Sequence, residues 1–426
     1  MKKEHILIIR FSALGDVAMT VPVVYSLAKT YPDLRITVLS RGIARTFFED
    51  LAPNVNFMEA DIKGEYKGVK GLNALYRRLT AKKFTAIADF HGVLRSGYLR
   101  LRFKFDRYKV AHINKHRSER KSLVSKSKKV LAQIPTSFAN YAEVLAKLGY
   151  PIDIQFKSIF PDEGGNLNLL PAAIGPRIEW EEWIGIAPFA AHKGKVYPAE
   201  MMEVVIQKLI AQYPKCRLFL FGRGKQEEQS FSEWCESYRQ CTYVGRHLET
   251  MYQELVLMSH LDVMVSMDSA NMHLASLVNT PVVSVWGATH PYAGFIGWNQ
   301  SMDNAVQVDL PCRPCSIFGN KPCMRGDFAC MNMIKPESII NKVNTLLTNK
   351  KKGIKKRKST FVTHVVGFMT LKLATPKAES LQEQLLRTSP RIGYAHFAVL
   401  ARKTSLWLRS SFCVYELTGY LFTSKY

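Results

Sequence analysis

Three stretches of this sequence place polar side chains directly after a short apolar run, where a parallel α/β sheet presents its loops to a ligand. The first reads Arg10-Phe11-Ser12-Ala13-Leu14-Gly15-Asp16-Val17, with Thr20 and Pro22 following. A carboxylate at the start of a helix lies near the positive end of its dipole and stays ionised. Such an Asp16 can take a proton from an attacking hydroxyl, a contribution of about 10²–10⁴-fold in rate. Equally, it can do no more than cap the helix.

The second stretch is Val265-Ser266-Met267-Asp268-Ser269-Ala270-Asn271-Met272-His273-Leu274-Ala275. Backbone N–H groups from Ser269 to Asn271 would open a helix, and a diphosphate fits such a terminus. Asp268 could accept hydrogen bonds from a ribose or base, and the Ser269 hydroxyl could donate to phosphate. The structural alternative is a capped helix with His273 as a hydrogen-bonded interior histidine. The third stretch, Ala187-Pro188-Phe189-Ala190-Ala191-His192-Lys193-Gly194-Lys195-Val196-Tyr197-Pro198, supplies two lysines. Lys195 there is a point charge able to offset a leaving diphosphate, or else part of a solvated basic loop.

Other phosphate-site patterns are missing. The loop at 10–17 has no G-x-G-x-x-G spacing, which removes the main support for a nicotinamide enzyme. Gly222-Arg223-Gly224-Lys225 lacks P-loop spacing and reads as a surface turn. The sequence contains no Asp-x-Asp, so no cofactor is expected to be required for catalysis. Cys312, Cys315, Cys323 and Cys330 could supply four thiolates to a structural zinc, although only one pair is tightly spaced. Paired thiols or plain buried cysteines are the alternatives.

The elements that must position these loops alternate short apolar runs with helical stretches, the pattern of βαβ units. The runs are His5–Arg10, Arg35–Ser40, Val55–Glu59, Phe84–Phe90 and Lys109–Ile113, with helices such as Val21–Lys29 and Leu72–Ala81 between them. A polar stretch with Gly164-Gly165 and prolines at 161, 171 and 176 interrupts the pattern. It then resumes at Trp183–Pro188, Arg217–Phe221, Cys241–Val244, Leu261–Ser266 and Pro281–Trp286. The expected organisation is a Rossmann-like domain at 1–165, a linker at 166–180, a second Rossmann-like domain at 181–349 and a basic, irregular tail at 350–426. The fold class is α/β, two parallel sheets facing an interdomain cleft.

The chain has 426 residues and a formal net charge of +24. Residues 351–426 carry 14 Lys/Arg against 3 Asp/Glu. Charge of this size speaks to partners rather than to fold. Nucleic acid, an anionic membrane face and an acidic glycolipid are the candidates. No helix-turn-helix, zinc-finger or aromatic stacking signature supports nucleic acid. No apolar stretch is long enough to span a bilayer, and Ile6–Ile9 is too short for a secretory signal core. The protein is therefore expected in the cytoplasm.

Four motifs in register resemble glycosyltransferase family 9, the lipopolysaccharide heptosyltransferases. They are Ser12-Ala13-Leu14-Gly15-Asp16-Val17 with Thr20 and Pro22, Asp89-Phe90-His91-Gly92-Val93-Leu94-Arg95-Ser96, Lys195-Val196-Tyr197-Pro198, and Asp268-Ser269-Ala270 with His273-Leu274. The resemblance runs from residue 5 to about 345 and does not extend to the tail. It implies a GT-B fold, ADP-heptose or a related nucleotide sugar as donor, and inversion at the anomeric carbon. By that resemblance Asp16 matches the general base, Lys195 the phosphate contact, and Asp268 to Ala270, with His273, the donor loop. Ser12, Gly15, His91 and Arg95 fall on the acceptor side. Relatives often carry a similar Cys-rich loop. Two positions depart from the family pattern: Ala270 stands where Gly is usual, crowding a close phosphate approach, and His91 where Gln is frequent.

The expected partners are a nucleotide-sugar donor and an acidic glycolipid acceptor, with peripheral, salt-sensitive contact to the inner face of the cytoplasmic membrane. Arg95, Arg100, Arg102 and the run His112–Lys121 are available to an acidic acceptor. The competing readings are a nucleotide-sugar epimerase or hydrolase on the same fold, and a binding protein for anionic surfaces.

Overall fold

The computed structural model describes residues 4–178 and 180–350; the expected tail lies outside them but for Lys350. Among the described residues eleven strands, all paired in parallel, form two sheets. The first comprises β1 (His5–Ile9), β2 (Arg35–Ser40), β3 (Val55–Glu59), β4 (Ala86–Asp89) and β5 (Lys109–His112), in the order β3-β2-β1-β4-β5. The second comprises β6 (Trp183–Ala187), β7 (Arg217–Leu220), β8 (Cys241–Tyr243), β9 (Val263–Met267), β10 (Val282–Val285) and β11 (Ala305–Val306), in the order β11-β10-β9-β6-β7-β8.

Both orders reverse at the first strand of the sheet: β1 lies between β2 and β4, and β6 between β9 and β7. Ligand sites open beyond the carboxyl ends of strands at such switch points. The four loops singled out above follow β1, β4, β6 and β9, the strands at or beside the two reversals.

Central strands buried on both faces read as continuous apolar runs rather than alternating ones. The five residues of β1 are all buried; Ile6 and Ile8 enter one core while Leu7 and Ile9 enter another. The core holding Ile6 and Ile8 also contains Val17, Met272, Leu274 and Trp286, so one apolar cluster runs from the first half into the second. Residues 134–137 tie the halves further, with Ile134 N–H donating to Tyr292 O at 2.9 Å and Ser137 N–H to Gly294 O at 3.0 Å. Gly294 has φ +81°, and a Cβ there would lie 2.7 Å from Pro135 O. Only glycine permits both that conformation and that approach.

Expected and observed strands agree to within one or two residues. The run expected at Leu261–Ser266 forms two residues later at its start and ends at Met267. β11 was not expected, because two residues joining the sheet edge carry no readable periodicity. Residues 336–350 are helical and bury Ile339, Ile340, Val343 and Leu347 in the core of the second sheet. Among the described residues no helix is long and apolar enough to cross a membrane.

Candidate active site

On the first half, the chain leaves β1 and enters the short helix Leu14–Ala18, where Asp16 occupies the third position. Its carboxylate accepts from Ala13 N–H at 3.0 Å and pairs with Arg10 at 2.7 Å. Capping and a reactive carboxylate are thus not exclusive: the oxygen that caps the helix belongs to a side chain still 32% exposed. Burial by itself would raise the Asp16 pKa. The Arg10 charge and the Ala13 amide outweigh it and hold the carboxyl below the usual range. Arg10 is buried and also donates to Phe90 O at 2.8 Å. Beneath them Tyr141 stacks on Phe90 and its hydroxyl donates to Asp16 O at 3.5 Å. Ser12 is half-buried in the same loop.

The loop after β4 is built on Asp89, which is fully buried. One carboxylate oxygen accepts from the N–H groups of His91 and Gly92, both at 2.9 Å, and the other pairs with Arg100 at 3.1 Å. This turn carries His91 toward the end of β1, where Phe11 N–H points at His91 Nδ1 at 3.4 Å. Burial, then the charges of Arg10 and Lys115, push the His91 pKa down to about 3. The ring is neutral near pH 7, and with Nδ1 accepting, its proton sits on Nε2. Arg95 is exposed on the first turn of the helix Leu94–Phe105.

On the second half, Asp268 is the first residue beyond β9 and only 4% exposed. Its Oδ2 accepts from Thr289 Oγ1 at 2.8 Å and pairs with Lys195 Nζ at 2.8 Å. Asp268, expected as an acceptor for a ribose or base, commits Oδ2 to Thr289 and Lys195. Lys195 rises from the turn Lys193–Lys195 after β6. Ser269 begins the helix Ala270–Leu277 without a side-chain cap on its first-turn amides, and its hydroxyl lies 3.3 Å from Ser266 Oγ. His273 is buried, with burial pushing its pKa down to about 4. It is not the hydrogen-bonded interior histidine of the structural alternative: its Nδ1 has no partner among the described residues.

Gly15 brings the halves together. A Cβ on it would lie 2.7 Å from His273 Cδ2 and 3.3 Å from the Ala270 Cα. The absence of a side chain therefore lets the helix carrying Asp16 sit against the uncapped end of Ala270–Leu277. His273 thereby lies within charge range of Asp16 on one side and of Asp268 and Lys195 on the other, while Arg10 and His91 neighbour Asp16.

Cys312, Cys315, Cys323 and Cys330 line one small cavity together with Ala288 and Arg313. They are free thiols, and burial pushes Cys330 up to about 11. Among the described residues no three His, Cys, Asp or Glu side chains converge to hold a metal ion. The zinc expectation thus meets a shared cavity but not a ligand set. The loop also lies closer to the chemistry than its place in the sequence implied. Cys315 N–H donates to Ala288 O at 3.1 Å, Ala288 N–H donates to Gly194 O at 2.8 Å, and Gly319 packs against the Lys195 stem. Gly222 to Lys225, expected as a surface turn, are instead a short loop whose Gly224 caps the helix Lys225–Ser237, with Arg223 Nε donating to Glu254 at 2.7 Å.

Two site residues, Arg10 and Thr289, have no role that the sequence motifs assign, and a third, Arg120, is expected only as part of a basic run. For Arg10 a basic residue ending an apolar strand is a usable signal. Thr289 gave none. Arg120, within the basic run, lies with its guanidinium 5.1 Å from the Phe295 ring centre and 5.8 Å from that of Phe318, reaching from the first half to the second.

Residues 72–321 match the family profile of glycosyltransferase family 9 (heptosyltransferase). The chain is 22% identical over 344 residues to lipooligosaccharide heptosyltransferase 2 of Campylobacter jejuni, covering 79% of this chain and 96% of that one. A glycosyltransferase family 9 structure from Veillonella parvula superposes with a TM-score of 0.62 at 18% identity, covering 82% of this chain and 98% of the other. The Escherichia coli heptosyltransferase WaaC with ADP gives 0.53 at 19% identity, covering 70% and 92%. The two switch-point sheets are those of a GT-B fold, and with more than half of its length matched to the profile, this chain belongs to glycosyltransferase family 9 and is a glycosyltransferase.

Proposed function

We propose that the protein transfers a heptose, with inversion, from ADP-heptose to a lipopolysaccharide core acceptor, without a catalytic metal. The observation that carries the mechanism is the contact at Gly15, which sets an ionised carboxylate opposite an uncapped helix N-terminus. An acceptor hydroxyl oxygen attacks the anomeric carbon from the side of the first half. The C1–O bond to the diphosphate breaks, ADP leaves with the bonding pair, and the hydroxyl proton passes to Asp16. Lys195 and the amides from Ser269 to Asn271 stabilise the departing diphosphate. Neutral His91 donates from Nε2 to the acceptor, as a glutamine amide would.

In this reading residues 1–165 receive the acceptor, 166–180 join the halves and 181–349 hold the donor. Ser12, Gly15 and Arg95 border the acceptor, while Asp268 and His273 shape the donor side. The relatives named for lipopolysaccharide and ADP support this donor and acceptor. The basic body suits an acidic glycolipid reached from the cytoplasmic face of the membrane. Family membership weighs against the epimerase, hydrolase and anionic-surface readings. The test is product analysis with ADP-, UDP- and GDP-linked sugars and a heptose-deficient core acceptor. Transfer from ADP-heptose alone, in chelator and with inverted configuration, is expected. A dependence on Mg²⁺ or a preference for UDP sugars would defeat the corresponding part.

A further inference from the structure

The helix Leu94–Phe105 links β4 to the edge strand β5 and is apolar on two opposed faces. Its inner face buries Ser96, Leu99 and Phe103. At about 100° per residue, Leu94, Tyr98, Leu101 and Phe105 fall within about 60° of one another on the outer face. Leu94 is 94% exposed, Leu101 64% and Phe105 86%. Single exposed apolar residues are ordinary; three large ones aligned on one stripe form a patch that calls for a partner.

The borders of the stripe are cationic. Arg95 and Arg102 lie on one flank, Arg100 and Lys104 on the other, and the helix has no acidic residue. Arg100 and Arg102 are engaged by Asp89 and Asn73, whereas Arg95 and Lys104 face solvent. The adjoining cleft, about 1170 Å³, adds Lys115 and Arg117 to its lining and contains no Asp or Glu. A protein interface of this kind ordinarily carries a rim of mixed charge. An apolar face bordered along the helix by Lys and Arg, with the carboxylate of Asp106 beyond its end taken by the Tyr76 hydroxyl, is the composition of a helix lying in the plane of an anionic membrane.

We propose that this face docks the protein on an anionic lipid bilayer. Leu94, Leu101 and Phe105 enter the boundary between headgroups and acyl chains, with Arg95, Lys104 and Arg117 at the phosphates. The cleft begins at Gly92 and Lys115, beside His91. Docking therefore brings the acceptor side of the active site to a glycolipid that stays in its membrane. That last consequence rests on the transferase reading; the affinity for lipid does not.

The test uses full-length protein sedimented with vesicles of phosphatidylethanolamine and phosphatidylglycerol, or of phosphatidylcholine alone. Binding is expected to the anionic vesicles only, and to weaken with salt. The triple variant L94S/L101S/F105S should partition about a hundredfold more weakly, near fivefold for each half-buried side chain. Its melting temperature and ADP affinity should remain at wild type. Leu101→Trp, which leaves the core untouched, should give an indole quenched by brominated lipid. Wild-type partition by the triple variant, an unquenched indole, or no vesicle binding by the wild type would each overturn the proposal. A changed sedimentation coefficient of the free triple variant, with no vesicle binding by wild type, would make the face a contact between copies. Vesicle binding without ADP binding in the same preparation would defeat the transferase reading and leave the docking surface standing.

Discussion

Replacing Gly15 with Ala adds one methyl group at the junction of the two halves. That carbon would sit 2.7 Å from His273 Cδ2 and 3.3 Å from the Ala270 Cα. Carbon atoms in good contact are at least about 3.5 Å apart, so the ring and the methyl must separate by about 0.8 Å. His273 is buried and Ala270 is backbone of a helix, so neither can rotate away; the short helix Leu14–Ala18 and the end of Ala270–Leu277 must move apart. Overpacking of this kind costs about 1–3 kcal/mol of stability. A shift approaching 1 Å between reacting groups costs about 10²-fold in rate. The expected result is a kcat reduced by about two orders of magnitude, with ADP affinity held within about threefold because the donor groups all lie on the second half. Single-turnover transfer, calorimetry with ADP and a denaturant melt on the same variant separate the three quantities. A Gly15→Ala enzyme with wild-type kcat and a full stability loss would refute the claim that this contact aligns the reaction. A large loss of ADP affinity would place Gly15 in the donor site instead.

Asp16→Asn should lower kcat by about 10²–10⁴-fold and leave ADP binding intact. Because the Asp16 carboxyl is held below its ordinary pKa of 3.8, the stability it contributes is fully present above pH 3.8 and lost as pH falls through the lower folded value; acid melts of wild type and variant check it. His91 and His273 act in the same sense by another route. Each is buried neutral with a pKa depressed from 6.5, to about 3 and about 4, so the unfolded chain binds more protons and stability falls as pH drops from 6.5 toward 4. Each contributes a slope of at most about 1.4 kcal/mol per pH unit. Urea melts of His273→Leu across this range should show a shallower slope than wild type; an unchanged slope would mean the ring is not buried neutral. Lys195→Met leaves Asp268 buried without its charge partner and should cost about 3 kcal/mol of stability. Adding Asp268→Asn should restore much of that stability but not transfer activity, and recovery of both would remove Lys195 from the mechanism.

The two sheets and the loops that carry chemistry were legible from local patterning alone. β1 reads His-Ile-Leu-Ile-Ile, and a run buried on both faces with a helical pattern behind it has few other readings. Motif order was legible for the same local reason: Gly15-Asp16, Lys195 and Asp268-Ser269 each sit within a residue stretch that carries its own turn. Pairings between residues far apart in the chain were not. The Lys195–Asp268 ion pair, the Thr289 hydroxyl that completes it and the Gly319 backbone against the lysine stem depend on which loops the strand order brings to one end of the second sheet. That order, β9 beside β6, is set by packing rather than by local propensity. Tertiary structure likewise decided that the Cys-rich loop supports the Lys195 turn, that β11 pairs at the edge through two residues, and that the outer stripe of Leu94–Phe105 stays uncovered. A helix pattern shows only that a face is apolar; which of two apolar faces meets the core depends on the position of β4 and β5 beneath it.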